Sequence, residues 1–175
     1  VFAGVLSRSD QPEDDGTLGE INDAHIDLGY RYRSAAVIAE AGDDGALTED
    51  PRQMRGRPGT RVPHIVVGRD GVPVSTIDLA GTGFTLFTGP DGEAWAAAAR
   101  QAWAAAGVPC AVYGAGALPA ALGISPGGAV LVRPDGVVAW RSAAAPAAAD
   151  ASAIMARIVA AMLGLPRVAG RGDRG

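Results

Sequence analysis

One thiol, two imidazoles and scattered carboxylates are what this sequence offers for covalent or acid–base chemistry. Thiol–disulfide or peroxide chemistry needs a thiolate at a helix start, where the backbone dipole lowers the thiol pKa. Cys110 instead lies between Val108 and Val112 in an apolar run, the setting of a buried small hydrophobe. His25 and His64 belong to no His-x-x-x-His or comparable spacing, so no metal site is expected. The acidic runs at 13–15 and 43–50 read as solvated loops rather than general acids. No serine occupies a Gly-x-Ser-x-Gly elbow, and hydrolysis has no support. The expectation is a chain with no catalytic, cofactor-binding or metal-ligating residue of its own.

Residues able to make specific contacts are a different matter. Leu28, Tyr30 and Tyr32 alternate with Arg31 and Arg33 in a run of strand character from Ile26 to Ile38. Either the tyrosines pack an edge strand with the arginines facing water, or Tyr30, Arg31, Tyr32 and Arg33 dock onto another domain, with arginine bridging carboxylates across the seam. Trp95 and Trp103, eight residues apart on a helix, read as core packing.

Composition narrows the classes further. The 175 residues are 48% hydrophobic and 19% charged, enough apolar material for one core. A net charge of −4 argues against a nucleic-acid surface. All fifteen basic residues are arginine, which with abundant Ala and Gly reads as coding bias. A single cysteine excludes an intramolecular disulfide and suits a cytoplasmic setting. No apolar run approaches the roughly 20 residues of a membrane helix. The opening Val-Phe-Ala-Gly-Val-Leu has neither the length nor the basic start of a signal peptide, and with no initiating Met it reads as a piece of a longer protein or a processed N-terminus.

The organising stretch is Gly83–Arg100. Phe84–Thr88 reads as a buried strand, Gly89-Pro90-Asp91-Gly92 breaks it, and an Ala-rich helix follows to Gly107, with Asp91 as the expected cap. Ahead of it, 1–60 reads as an extended lead-in with an acidic linker and a mobile loop over 40–59. The compact domain is expected over 61–166 and a frayed Arg/Gly tail over 167–175. Within that domain, strands are expected at 64–67 and 74–79 around Arg69-Asp70-Gly71. Further strands fall at 108–113, 129–133 and 137–141, the last two joined by Pro134-Asp135-Gly136. A short helix fits 118–122, and a final one fits 148–163 with Ile154, Ile158, Ala161 and Leu165 on its apolar stripe.

This order, hairpin, strand, helix, strand, loop, hairpin, helix, resembles an α/β thioredoxin-like domain of the peroxiredoxin-type variant, with a central mixed sheet flanked by helices. In that fold the reactive thiol sits at Gly89 to Ala94, where this chain has no sulfur, and the facing proline falls near Gly128, with Pro126 two places away. A closer resemblance includes the lead-in. Leu28-Gly-Tyr-Arg-Tyr-Arg33, Gly56-Arg-Pro-Gly-Thr-Arg-Val-Pro-His64, Ser75-Thr-Ile-Asp-Leu79, Phe84-Thr-Leu-Phe-Thr-Gly89 and Val130-Leu-Val-Arg-Pro-Asp-Gly-Val-Val-Ala-Trp-Arg141 are similar, in order and spacing, to the C-terminal region of FAD-dependent aromatic-ring hydroxylases of the phenol-hydroxylase and polyketide-hydroxylase type.

That resemblance implies a non-catalytic domain with a structural or subunit-contact role. FAD, NAD(P)H and the aromatic substrate would belong to upstream domains of the same polypeptide, and a homo-oligomer would be compatible with it. Gly81-Thr82-Gly83 precedes a strand and does not make a dinucleotide loop. The competing readings are a free-standing binding or dimerisation module of the same fold, and an autonomous thiol oxidoreductase using Cys110.

Overall fold

The computed structural model describes residues 27–69, 71–147 and 150–165. In chain order the elements are β1 (Val66–Arg69), β2 (Val72–Ser75), α1 (Thr76–Leu79), β3 (Phe84–Thr88), α2 (Glu93–Ala105), β4 (Cys110–Gly114), α3 (Leu118–Leu122), β5 (Ala129–Val132), β6 (Val138–Ser142) and α4 (Ala151–Met162). β1 and β2 form a hairpin of their own, and the other four strands form a mixed sheet in the order β4-β3-β5-β6. β3 runs parallel to β4, with Phe84 opposite Cys110 and Thr88 opposite Gly114. It runs antiparallel to β5, which is antiparallel to β6.

The period-2 alternation of β3 divides the core in two. Leu86 faces α2 and α4 and packs with Trp95, Trp103, Leu131, Trp140, Met155 and Ile158. Phe87 faces the other way, into Val130, Val132, Val138, Leu118, Leu122 and the hairpin residue Val67. With few aromatics available, those present pair: Trp95 meets Trp140 edge-to-face at 5.0 Å, and Phe84 stacks on Trp103 at 4.2 Å. Each such pair contributes about 1 kcal/mol beyond the area it buries. Ala98 and Ala99, both buried, let α2 lie close to the sheet and to α4.

Three expectations about elements change. Strand β2 stops at Ser75, and Thr76–Leu79 is a helical turn because the Ser75 side chain caps it, accepting from Ile77 N at 3.1 Å. Asp91 does not cap α2; Gly92 is the capping residue and makes no side-chain cap bond. On α4 the buried face is Ala151, Met155, Ile158 and Val159, while Leu165 is exposed. The expected stripe was one position out of phase at Ile154 and strayed past the helix end.

The lead-in is not a strand from Ile26 to Ile38. Tyr30 makes one isolated antiparallel bridge to Thr48, and the rest of the run is irregular. From Ile38 onward it closes the outer edge of β6. Gly59 N donates to Val138 O and Val138 N to Thr60 O, both at 2.8 Å, and Val62 N donates to Gly136 O at 2.9 Å. A bulge at Ala139, with Val132 opposite Val138 but Leu131 opposite Trp140, leaves the Ala139 carbonyl for Ile38 N at 2.8 Å. An edge strand left bare invites mispairing, and here the chain covers its own edge. Residues 1–26 and 166–175, which include His25 and the tail, lie outside the described residues.

Candidate functional site

The turn from β3 into α2 stands at the carboxyl end of the two parallel strands, where α/β sheets place ligands. Asp91 N donates to Pro126 O at 2.9 Å and Gly89 N to Gly128 O at 3.1 Å, so the turn is bonded to the loop before β5. A Cβ on Gly89 would lie 2.2 Å from Pro126 O, well inside van der Waals contact. Beside this joint is an open cleft of about 280 Å³ lined in part by Thr88, Glu93, Arg100 and Gly114, with Glu93 and Arg100 paired at 3.0 Å. No thiol or imidazole lines it.

Cys110 opens β4 opposite Phe84, at the amino end of the parallel pair. Four residues of strand, about 13 Å, separate that level from the turn. Burial pushes its thiol up to about 12, the reverse of what a nucleophile requires. His64 precedes β1 rather than opening it; its residue is exposed and its Nδ1 lies 2.7 Å from Ser75 Oγ. Among the described residues no three His, Cys, Asp or Glu side chains gather as a metal site.

In the Tyr30–Arg33 run Arg31 alone is buried, and Tyr30, Tyr32 and Arg33 are exposed, the reverse of the ordinary polarity at Arg31. Arg31 is 4% exposed, whereas Tyr30 and Tyr32 are 42% and 44% exposed. What lies beneath is an acidic loop, not an apolar sheet. Arg31 Nη1 donates to Asp44 Oδ1 at 3.1 Å and to Ala46 O at 3.0 Å, and Nη2 pairs with Asp43. Arg57 Nη2 reaches the same Asp44 oxygen at 2.8 Å, and Arg33 Nη2 bonds Gly45 O. Backbone N–H groups of Gly45 and Ala46 fold back onto Asp43 and Asp44 in two successive Asx turns.

The hydrogen bond from Arg31 holds the Asp43 carboxyl below the ordinary carboxylate range, and that from Arg57 does the same more strongly for Asp44. Asp44 in turn raises Arg57. Both arginines of the run are thus engaged within the chain, and the tyrosine rings are left outside, edge-to-face at 5.1 Å. Gly59 passes directly beneath: its φ is +92°, and a Cβ there would lie 2.5 Å from Tyr32 O, so this crossing needs glycine.

A second ionic joint had no sequence signal. Arg141, on β6, forks onto Glu40 with Nε to Oε1 at 2.6 Å and Nη2 to Oε2 at 2.7 Å. Its Nη1 also donates to Arg55 O at 2.7 Å and Leu122 O at 3.0 Å. The partners are 101 residues apart, and nothing local in either segment announces the other. The Asp43-Asp44-Gly45 turn, by contrast, carried a readable Asx signal, and so did the Ser75-Thr-Ile-Asp78 capping pattern.

No turn among the described residues carries the Gly-x-Gly-x-x-Gly spacing of a dinucleotide loop. Gly81–Gly83 joins α1 to the start of β3 rather than a strand end to a helix start; of the described glycine turns that do join a strand to a helix, the one at Gly89 meets the Pro126 carbonyl and the one at Gly114 and Gly116 leads into the five-residue α3.

The family described as aromatic-ring hydroxylase, C-terminal, matches residues 55–162. Aklavinone 12-hydroxylase RdmE of Streptomyces purpurascens is 47% identical over 142 residues, covering 75% of this chain and 26% of that protein. Tetracenomycin A2 monooxygenase-dioxygenase of Streptomyces glaucescens is 41% identical over 157 residues, covering 81% of this chain and 27% of that protein. Among solved structures, a ternary complex of aklavinone-11 hydroxylase with FAD and aklavinone superposes with a TM-score of 0.76 at 43% identity, covering 82% of this chain and 28% of that one. The chain thus spans about a quarter of the length of the curated relatives it matches. It belongs to the aromatic-ring hydroxylase C-terminal family.

Proposed function

We propose that this chain is the C-terminal accessory domain of a cytoplasmic, FAD- and NAD(P)H-dependent hydroxylase of polyketide or phenolic rings, with a structural or subunit-contact role. The observation that carries the non-catalytic reading is the closed turn at Gly89. A thioredoxin-like arrangement fits the strand order β4-β3-β5-β6, with one parallel pair followed by an antiparallel hairpin and helix. In that arrangement the β3–α2 turn is where a reactive thiol belongs, and here packing against Pro126 leaves no room for a side chain at Gly89. The lead-in over 1–60, compact domain over 61–166 and tail over 167–175 complete the proposed organisation. Flavin chemistry, hydride supply and the ring substrate then belong to upstream domains, and none of them is assigned to a residue of this chain.

The test is the polypeptide encoded in frame with Val1. It is expected to extend well upstream and to purify yellow with bound flavin, whereas this chain alone purifies colourless. Insulin reduction and peroxide consumption by the chain should match a no-protein control. Turnover abolished by Cys110→Ser would favour a thiol oxidoreductase, and an open reading frame starting immediately before Val1 would favour a free-standing module.

A further inference from the structure

Resting on that reading, we infer that the Tyr30–Tyr32 ring pair is the face by which this domain seats on the upstream part of its own polypeptide, and that Arg31 is the positioning residue that holds the face in shape. Two large aromatic side chains stand more than two-fifths exposed in an edge-to-face pair, with Leu28, 53% exposed, two residues ahead. Exposed tyrosine pairs are well suited to interfaces, because each ring buries much area at small rotamer cost and keeps a hydroxyl for a backbone carbonyl.

The backing is stiff. Burying a guanidinium is costly unless it is paired, and Nη1 and Nη2 of Arg31 are met by two carboxylates and a carbonyl of one loop, while its Nε is buried without a partner. An irregular segment with that anchor presents its rings in one geometry, as a docking face needs, whereas arginines pointing outward would leave the rings to collapse onto the loop. The occupant follows from length. A relative-sized polypeptide is about three times as long as this chain, and the ring pair lies in the lead-in, on the N-terminal side of the first strand. The surface expected to receive the rings is apolar, aliphatic or proline-bearing, with carbonyl oxygens for the two phenols.

Hydroxyl-radical footprinting of the full encoded polypeptide and of this chain alone tests the inference. Labelling of Tyr30 and Tyr32 is expected to fall roughly fivefold or more in the full polypeptide, as rings buried in an interface core lose solvent contact. Tyr30→Ser/Tyr32→Ser should split its single thermal transition into two, while Val66→Ser/Val72→Ser on the exposed hairpin leaves it single. Arg31→Met, which keeps bulk but removes the clasp, should restore Tyr30 and Tyr32 labelling in the full polypeptide with the compact domain still folded by circular dichroism. Equal labelling in the two proteins overturns the inference even where flavin is bound. Protection already present in this chain alone would assign the face to its own residues 1–26, and protection lost on dilution to monomer would assign it to a second copy; either result also overturns it. An encoded polypeptide without flavin fails the underlying reading instead.

Discussion

Replacing Arg141 tests most directly how the lead-in is attached. Its guanidinium makes four hydrogen bonds, two to Glu40 and two to the carbonyls of Arg55 and Leu122. The side chains of Arg141 and Glu40 are 12% and 25% exposed, so the pair is neither fully wet nor fully dry. Bonds to a charged partner contribute about 1.5–3 kcal/mol each to stability. The Arg55 carbonyl can exchange its lost donor for water, and part of the fork's gain offsets the cost of burying two ions. Arg141→Ala should therefore destabilise by about 3 kcal/mol, mostly from the stranded Glu40 carboxylate and Leu122 carbonyl.

For a chain of this size that is a fall in Tm of roughly 6–12 °C. Arg141→Lys keeps the charge but loses the planar fork, and should recover less than half of the loss. Urea unfolding followed by tryptophan fluorescence is the assay, because Trp95, Trp103 and Trp140 all lie in the core. A double-mutant cycle with Glu40→Ala should return a coupling of about 1–2 kcal/mol. A cost for Arg141→Ala below about 1 kcal/mol, or additivity within about 0.3 kcal/mol, refutes the attachment described.

Gly89→Ala forces its Cβ against the Pro126 carbonyl, and overpacking of this kind costs about 1–3 kcal/mol by urea denaturation; a neutral or stabilising effect would show that the turn has slack and reopen the question of a site there. Acid should release the Arg31 clasp. Asp43 and Asp44 have folded values below the ordinary 3.8, so their stabilisation is complete above that value and is lost as pH falls through the folded values beneath it. The stability gap between the wild-type chain and Asp44→Asn is thus expected to stay level from neutral pH to about 5 and to close below about 4. A gap that narrows above pH 5, or persists unchanged under strong acid, contradicts the assignment.

The parts of the fold legible in the sequence are those whose signal is local. Phe84–Thr88 is dense in β-formers and ends at Gly89-Pro90, and Pro134-Asp135-Gly136 sits between two apolar runs, so strand, break and hairpin follow directly. Leu118–Leu122 was bounded correctly because Gly123 ends it, in a left-handed conformation at φ +64°. Thr76–Leu79 reads as strand because Thr76 and Ile77 carry β propensity, and a single serine cap outweighs it. The departure from the strand expected over Ile26–Ile38 is of another kind. Alternation gives the period of the side chains but not which face is inward, and polarity decides that only where the surface beneath is apolar. Here the underlying surface is the Asp43–Ala46 loop, and a guanidinium is the better match for two carboxylates and a carbonyl.

The polar chemistry of this chain is concentrated in attachment. Where an α/β domain ordinarily opens a site, at the carboxyl ends of β3 and β4, the chain has Gly89 and Gly114, the Pro126 carbonyl takes the Cβ position at Gly89, and the cleft beside it carries the Glu93–Arg100 pair. Its buried and half-buried paired guanidinia lie elsewhere: Arg31 inside the lead-in, Arg141 between lead-in and sheet. Each binds elements that have no regular ladder to hold them, and together with the Gly59–Val62 pairing they turn an irregular stretch from Tyr30 to Val62 into a fixed edge for β6. A lead-in serving only as a tether would gain nothing from burying arginines at desolvation cost. Burying them is reasonable if the segment must keep a shape, and the surface whose shape is kept is the one carrying the two exposed tyrosines.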